Sequence, residues 1–138
     1  MRKTARVGYG TVQVTYTLDE ENILADEEGE RLDDTILREV VNKNNGIMPK
    51  KVSVNIYFRV EQIDFPGNRE EAPVEQEDRE VQDVSLLVNG NKISLSGNIK
   101  NYIANLFDEY IQNSTNIEWP NIYGGIREAS SFKKFFKL

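Results

Sequence analysis

The stretch KVSVNIYFRVE, residues 51–61, decides the fold. Apolar and polar side chains alternate along it, which is the period of a strand with one buried face. The side chains expected to point into the core are Val52, Val54, Ile56, Phe58 and Val60. The opposite row carries Tyr57 and Arg59. We therefore expect a half-buried strand here, around which the remaining elements pack.

Other strands are predicted on both sides of this stretch. Residues 11–18 alternate in the same way, and Gly8 and Gly10 lie where the phase changes, which predicts a β-bulge. Residues 84–95 contain Asn89-Gly90 between two apolar runs, the strongest short signal for a β-hairpin. Residues 117–126 could form another strand, which Pro120 would confine to a sheet edge.

Two helices are predicted from apolar residues at helical spacing. The first covers about residues 32–44 and the second covers residues 99–111. We expect one α+β domain over residues 1–138: a mostly antiparallel sheet of four to five strands with two main helices on one face. The element order also allows a ferredoxin-like βαββαβ arrangement. Residues 66–80 are predicted to form an acidic mobile loop or arm, and residues 127–138 a basic, phenylalanine-rich tail or short amphipathic helix.

The composition excludes several chemistries. The chain has 138 residues, no cysteine and no histidine, so disulfides, thiolate metal sites and Ser-His-Asp hydrolysis are impossible. A net charge of −6 argues against general nucleic-acid binding. There is no signal-peptide pattern and no apolar run of membrane-spanning length, so we expect a cytoplasmic location and no membrane partner. We expect no metal and no cofactor. A carboxylate-based, magnesium-dependent enzyme is the least favoured alternative.

The segment from Trp119 to Arg127 is the best candidate for a binding site. It combines the only tryptophan with Tyr123, the flexible pair Gly124-Gly125 and the arginine, which are residue types used to hold nucleotides or protein hot spots. The alternative is that Trp119 fills the edge of the core and the glycines make a turn.

The outward row of residues 51–61 is a second candidate surface. Tyr57 and Arg59 could contact a ligand or a partner there. The alternative is that Arg59 forms a charge pair with a neighbouring glutamate on the sheet.

The basic ends of the chain suggest self-association. The tail places Lys133 and Lys134 among Phe132, Phe135 and Phe136. These side chains could dock on the chain's own core, or on the acidic body of a second copy in a homo-oligomer.

These patterns favour binding over catalysis. We expect a non-catalytic binding protein, oligomeric, that captures a small anionic, nucleotide-like ligand or blocks a protein partner. Such a protein would suit a phage or mobile element as an accessory protein directed against host defence. A structural subunit of a virion or another assembly is the alternative.

Overall fold

A three-stranded antiparallel ladder forms the body of the protein. In the computed structural model, the described residues are 4–65, 67, 70, 72 and 74–120. The strands are β1 (Thr4–Leu18), β2 (Leu24–Ala25), β3 (Lys51–Phe65), β4 (Val74–Val88), β5 (Asn91–Lys92) and β6 (Ile117–Glu118). The helices are α1 (Asp34–Lys43), α2 (Gly97–Leu106) and α3 (Asp108–Asn113). None of the helices in this part of the chain has the length and apolar character needed to cross a membrane.

The sheet confirms the predicted α+β class with an antiparallel sheet. Its order is β2-β1-β3-β4-β5, and β6 pairs with the outer side of β1 beside Tyr9 and Gly10. The ferredoxin-like order is not confirmed. β1 and β3, which flank α1, are adjacent and antiparallel, whereas a βαβ unit joins parallel strands.

The helices lie on one face of the sheet over a shared core. The inward rows of β1, β3 and β4 pack with side chains of the helices; Ile36, Val40, Ile103, Phe107 and Ile111 are the buried helical members. α1 begins at Asp33, whose carboxylate accepts hydrogen bonds from the amides of Thr35 and Ile36. The Tyr102 hydroxyl donates to the same carboxylate at 2.8 Å, which joins α2 to the start of α1.

The predicted hairpin is present at Asn89-Gly90. Both residues have positive φ, 50° and 84°, as this turn requires. The Asn89 side chain also accepts hydrogen bonds from the amides of Lys50 and Lys51, so it ties the turn to the start of β3.

Three predicted details are wrong. The acidic loop at 66–80 is shorter than expected, because β4 begins at Val74 and pairs with β3 as far as Phe65. The β-bulge lies in the β3–β4 ladder at Tyr57/Phe58, while β1 pairs with β3 without a register shift through Gly8 and Gly10. The single helix predicted for residues 99–111 is divided at Phe107 into α2 and α3.

The two glycines of β1 make room for aromatic rings. A Cβ atom on Gly10 would lie 2.2 Å from Cζ of Phe58, its cross-strand partner. A Cβ atom on Gly8 would lie 2.7 Å from the Trp119 ring. Both positions therefore exclude a side chain because an aromatic side chain occupies that space.

Candidate functional site

In the part of the chain that the structure describes, no strand covers the outer side of β1 between β6 and β2. β6 covers Tyr9 and Gly10, the amide of Thr11 donates to the carbonyl of Asn116, and β2 covers Thr17 and Leu18. Between these contacts, no backbone partner is present for this side of Gln13 or Thr15 among the described residues. The open interval therefore runs from Thr11 to Thr17, about 20 Å at the rise of an antiparallel strand.

The direction of the backbone groups follows from their neighbours. The Thr11 amide points to the outer side of β1, and the Leu18 amide points to the opposite side, where it donates to the carbonyl of Lys50 at 2.9 Å. Because the direction alternates along a strand, Gln13 and Thr15 each present one N–H and one C=O to the open side. Among the described residues these four groups have no backbone partner, so an added strand could pair with them.

Two adjoining grooves lie along this open side. The larger, of about 690 Å³, is lined by Thr11, Val12 and Gln13 of β1 and by the end of α3 through Asn116. The smaller, of about 330 Å³, is lined by Gln13, Val14 and Thr15 and by the turn at Asp26–Glu28. Gln13 and Tyr110 line both grooves, so the two adjoin at these residues beside the strand. We call the two together the β1 groove.

The two exposed sheet edges differ in charge. Among the described residues, the outer side of β4 pairs with β5 at Leu87 and Val88, and the carbonyl of Leu86 accepts from the amide of Ile93. Residues 75–83 of that strand include six charged side chains. Charged residues on an edge strand oppose pairing with another chain. Residues 11–16 of β1 include no charged side chain. Of these two edges, that of β1 therefore lacks charged side chains that would oppose pairing with another chain.

The β1 groove has an acidic rim. Its lining contains Asp26, Glu27, Glu28 and Glu109, and no lysine or arginine of the described residues belongs to it. Burial raises the pKa of Tyr110, and Asp26 and Glu28 raise it further through their negative charge. The carboxylates of the rim therefore act electrostatically on the ring at the centre of the groove.

Trp119 lies on the core side of the sheet, as expected if it fills the edge of the core. It is half-buried, packs against the core and covers Gly8, and the Arg6 guanidinium lies 4.1 Å from the centre of its ring. Arg6 also donates to the Gln62 side chain at 2.6 Å. Tyr123, Gly124, Gly125 and Arg127 lie outside the described residues.

Tyr57 and Arg59 lie on the face of the sheet that the helices leave uncovered. Tyr57 is 51% exposed. Arg59 forms an ion pair with Glu61, two residues along the same strand, at 2.7 Å. The structure does not bring either residue to the β1 groove. The predicted oligomer contacts lie outside the described residues: Phe132, Lys133, Lys134, Phe135 and Phe136.

Arg79 has a structural role on the helix side of the sheet. Its guanidinium donates to the backbone carbonyls of Ile111 and Ser114 and pairs with Glu77. The contact with Ile111 and Ser114 satisfies carbonyls at the end of α3. Arg6, which lies against the Trp119 ring, and Arg79 are thus both engaged by protein partners rather than presented to an anion.

The described part of the chain contains no cluster of three or more acidic side chains arranged to hold a metal ion. Sequence reasoning missed the β1 groove, and the signal available for it was the lack of charge in residues 11–16.

Comparison of the chain with models of protein families, with curated proteins and with solved structures finds no match.

Proposed function

We propose that this is a non-catalytic binding protein that blocks or holds a protein partner at the β1 groove. The observation that carries the proposal is the open, uncharged side of β1 between Thr11 and Thr17. An extended peptide segment adds to such an edge through main-chain hydrogen bonds, and the flanking groove selects its side chains.

The backbone groups at the edge contribute part of the energy of such a contact. Gln13 and Thr15 offer two N–H and two C=O groups. At about 0.5–1.5 kcal/mol each, four new hydrogen bonds contribute about 2–6 kcal/mol. Burial of the apolar side chains of the peptide against Val12 and Val14 adds to this, and ordering the peptide subtracts from it.

The other predicted ligand class receives less support from the geometry. An anionic, nucleotide-like ligand in the β1 groove would meet Glu27, Glu28 and Glu109, and no described lysine or arginine in the lining would compensate. Blocking a protein partner is also the action expected of an accessory protein that a phage or mobile element directs against host defence.

Amide hydrogen exchange tests whether the edge is open. The amides of Val12 and Val14 point to β3 and should exchange slowly, whereas those of Gln13 and Thr15 should exchange much faster. Equal protection of all four amides would show that the edge is already paired, and the proposal would fail.

Site-directed photocrosslinking tests the partner. A photoreactive amino acid replaces Tyr110, and the host cells are irradiated. Gln13→Pro removes one outward N–H without breaking a bond to β3, and Gln13→Ala retains that N–H. We expect a discrete adduct that Gln13→Ala retains and Gln13→Pro loses. An adduct that both variants retain, or none at all, contradicts the proposal.

The alternative function, a structural subunit, uses the same edge. Two copies could pair β1 with β1 about a twofold axis, since residues 11–16 carry no charges that repel. An adduct formed only between copies of this chain, and lost with Gln13→Pro, would favour the structural subunit over the blocking protein.

A further inference from the structure

The direction of an added strand follows from the elements at both ends of the opening. β2 and β6 lie on the same side of β1, and both run antiparallel to it. Ala25 lies opposite Thr17, and the amide of Thr11 donates to the carbonyl of Asn116. An antiparallel segment of about five residues would complete the line between them.

The chemistry of the segment follows from the rim. Glu27 and Glu28 line the smaller part of the β1 groove and Glu109 lines the larger part; all three are exposed. A carboxylate-bearing segment would meet like charge in both parts, whereas lysine and arginine side chains would find a carboxylate in either part.

We infer that the β1 groove receives an extended segment of a partner protein, rich in lysine or arginine, that joins the sheet as an antiparallel strand beside residues 11–17. This inference rests on the proposed function and specifies the partner class. Alternate side chains of such a strand face opposite sides of the sheet. The side chains of the added strand on the helix side would contact Val12 and Val14 of β1. They would also face Tyr110 and the acidic rim.

The electrostatic environment of Tyr110 supports this assignment. The pKa of its phenol is raised first by burial and then by Asp26, Glu28, Glu30 and Glu109, which lie on both sides of it. The field in the middle of the groove is therefore negative, and a bound cation would be stabilised there. The attraction would weaken as salt is added, since the rim is exposed to solvent.

Fluorescence anisotropy with a labelled heptapeptide of alternating lysine and valine tests the inference. The comparison peptide has glutamate in place of lysine, and the full chain is used throughout. We expect the lysine peptide to bind at least about tenfold more tightly than the glutamate peptide. Gln13→Pro should abolish its binding, whereas Gln13→Ala, which keeps the outward N–H, should weaken it far less.

A matched pair of triple variants separates the rim from the overall charge. The first variant removes three carboxylates of the rim: Glu27→Gln/Glu28→Gln/Glu109→Gln. The second variant removes three exposed carboxylates outside the groove lining: Glu20→Gln/Glu21→Gln/Glu80→Gln. Binding of the lysine peptide should weaken roughly tenfold in the first variant and remain unchanged in the second. Equal weakening in both would overturn the inference, because it would indicate attraction to the whole acidic chain.

The remaining outcomes distinguish this inference from the proposed function. Equal binding of both peptides, lost with Gln13→Pro, would keep the edge as the binding site and overturn its preference for cations. Failure of the lysine peptide to bind would overturn the inference, while the photocrosslinking result decides the proposed function independently. Sedimentation showing a dimer that Gln13→Pro dissociates would identify a second copy as the occupant and overturn the inference.

Discussion

Replacement of Gly10 with alanine should destabilise the protein by introducing a methyl group beneath the Phe58 ring. The new Cβ would lie 2.2 Å from Cζ, 2.6 Å from Cε2 and 2.7 Å from Cε1 of Phe58. Carbon atoms in contact are normally about 3.5–4.0 Å apart, so the ring would have to move by more than about 1 Å. Phe58 is fully buried, and the Arg79 guanidinium lies 5.4 Å from its ring centre, so the surrounding residues must also move.

The size of the effect follows from these distances. Overpacking a filled core costs about 1–3 kcal/mol, and a displacement of this size places Gly10→Ala in the upper half of that range. Alanine also restricts the unfolded chain, which returns about 0.4–1 kcal/mol. The net loss is therefore about 2 kcal/mol in the free energy of unfolding, or roughly 8 °C in Tm for a chain of this length.

Thermal and urea unfolding measure this loss, with two controls. Gly97→Ala is the matched substitution, because a Cβ atom there has no heavy atom within 4 Å. In a Phe58→Leu background, Gly10→Ala should cost less than half as much, because the shorter side chain leaves space for the methyl group. The reasoning is refuted if Gly10→Ala is no more destabilising than Gly97→Ala, or if its cost is the same with leucine at position 58.

Two further predictions concern aromatic side chains of the same sheet. Gly8→Ala should displace the Trp119 ring and loosen β6. Because Trp119 is the only tryptophan, a red shift of the protein's tryptophan fluorescence reports this change directly. An unchanged emission spectrum would contradict the packing of Trp119 against Gly8. Burial raises the pKa of Tyr16 to about 12 from 10.0, so its contribution to stability is complete below pH 10 and is lost as the pH rises to about 12. That loss is on the order of 2 kcal/mol, and urea unfolding at a series of pH values should show a smaller decline for Tyr16→Phe; an identical decline in both proteins would contradict the assignment.

The sequence by itself determined the elements whose packing follows a simple period. The alternation of residues 51–61 predicts the inward row of β3, and all five of its side chains are fully buried. The hairpin at Asn89-Gly90 was equally predictable, because the positive φ values of the turn depend on the two residues that form it. The first helix was predicted to within two residues at its start, since its cap and its apolar face are local features.

Only the tertiary structure decided the extent of β4 and the location of the candidate site. Residues 74–80 carry few strand-forming side chains, but their backbone pairs with β3, and cross-strand pairing overrides local preference. The open side of β1 depends on where β2 and β6 stop, and β6 lies more than a hundred residues along the chain from the glycines that it covers. The alternation of residues 11–16 predicts a strand, but it contains no record of which neighbours that strand lacks.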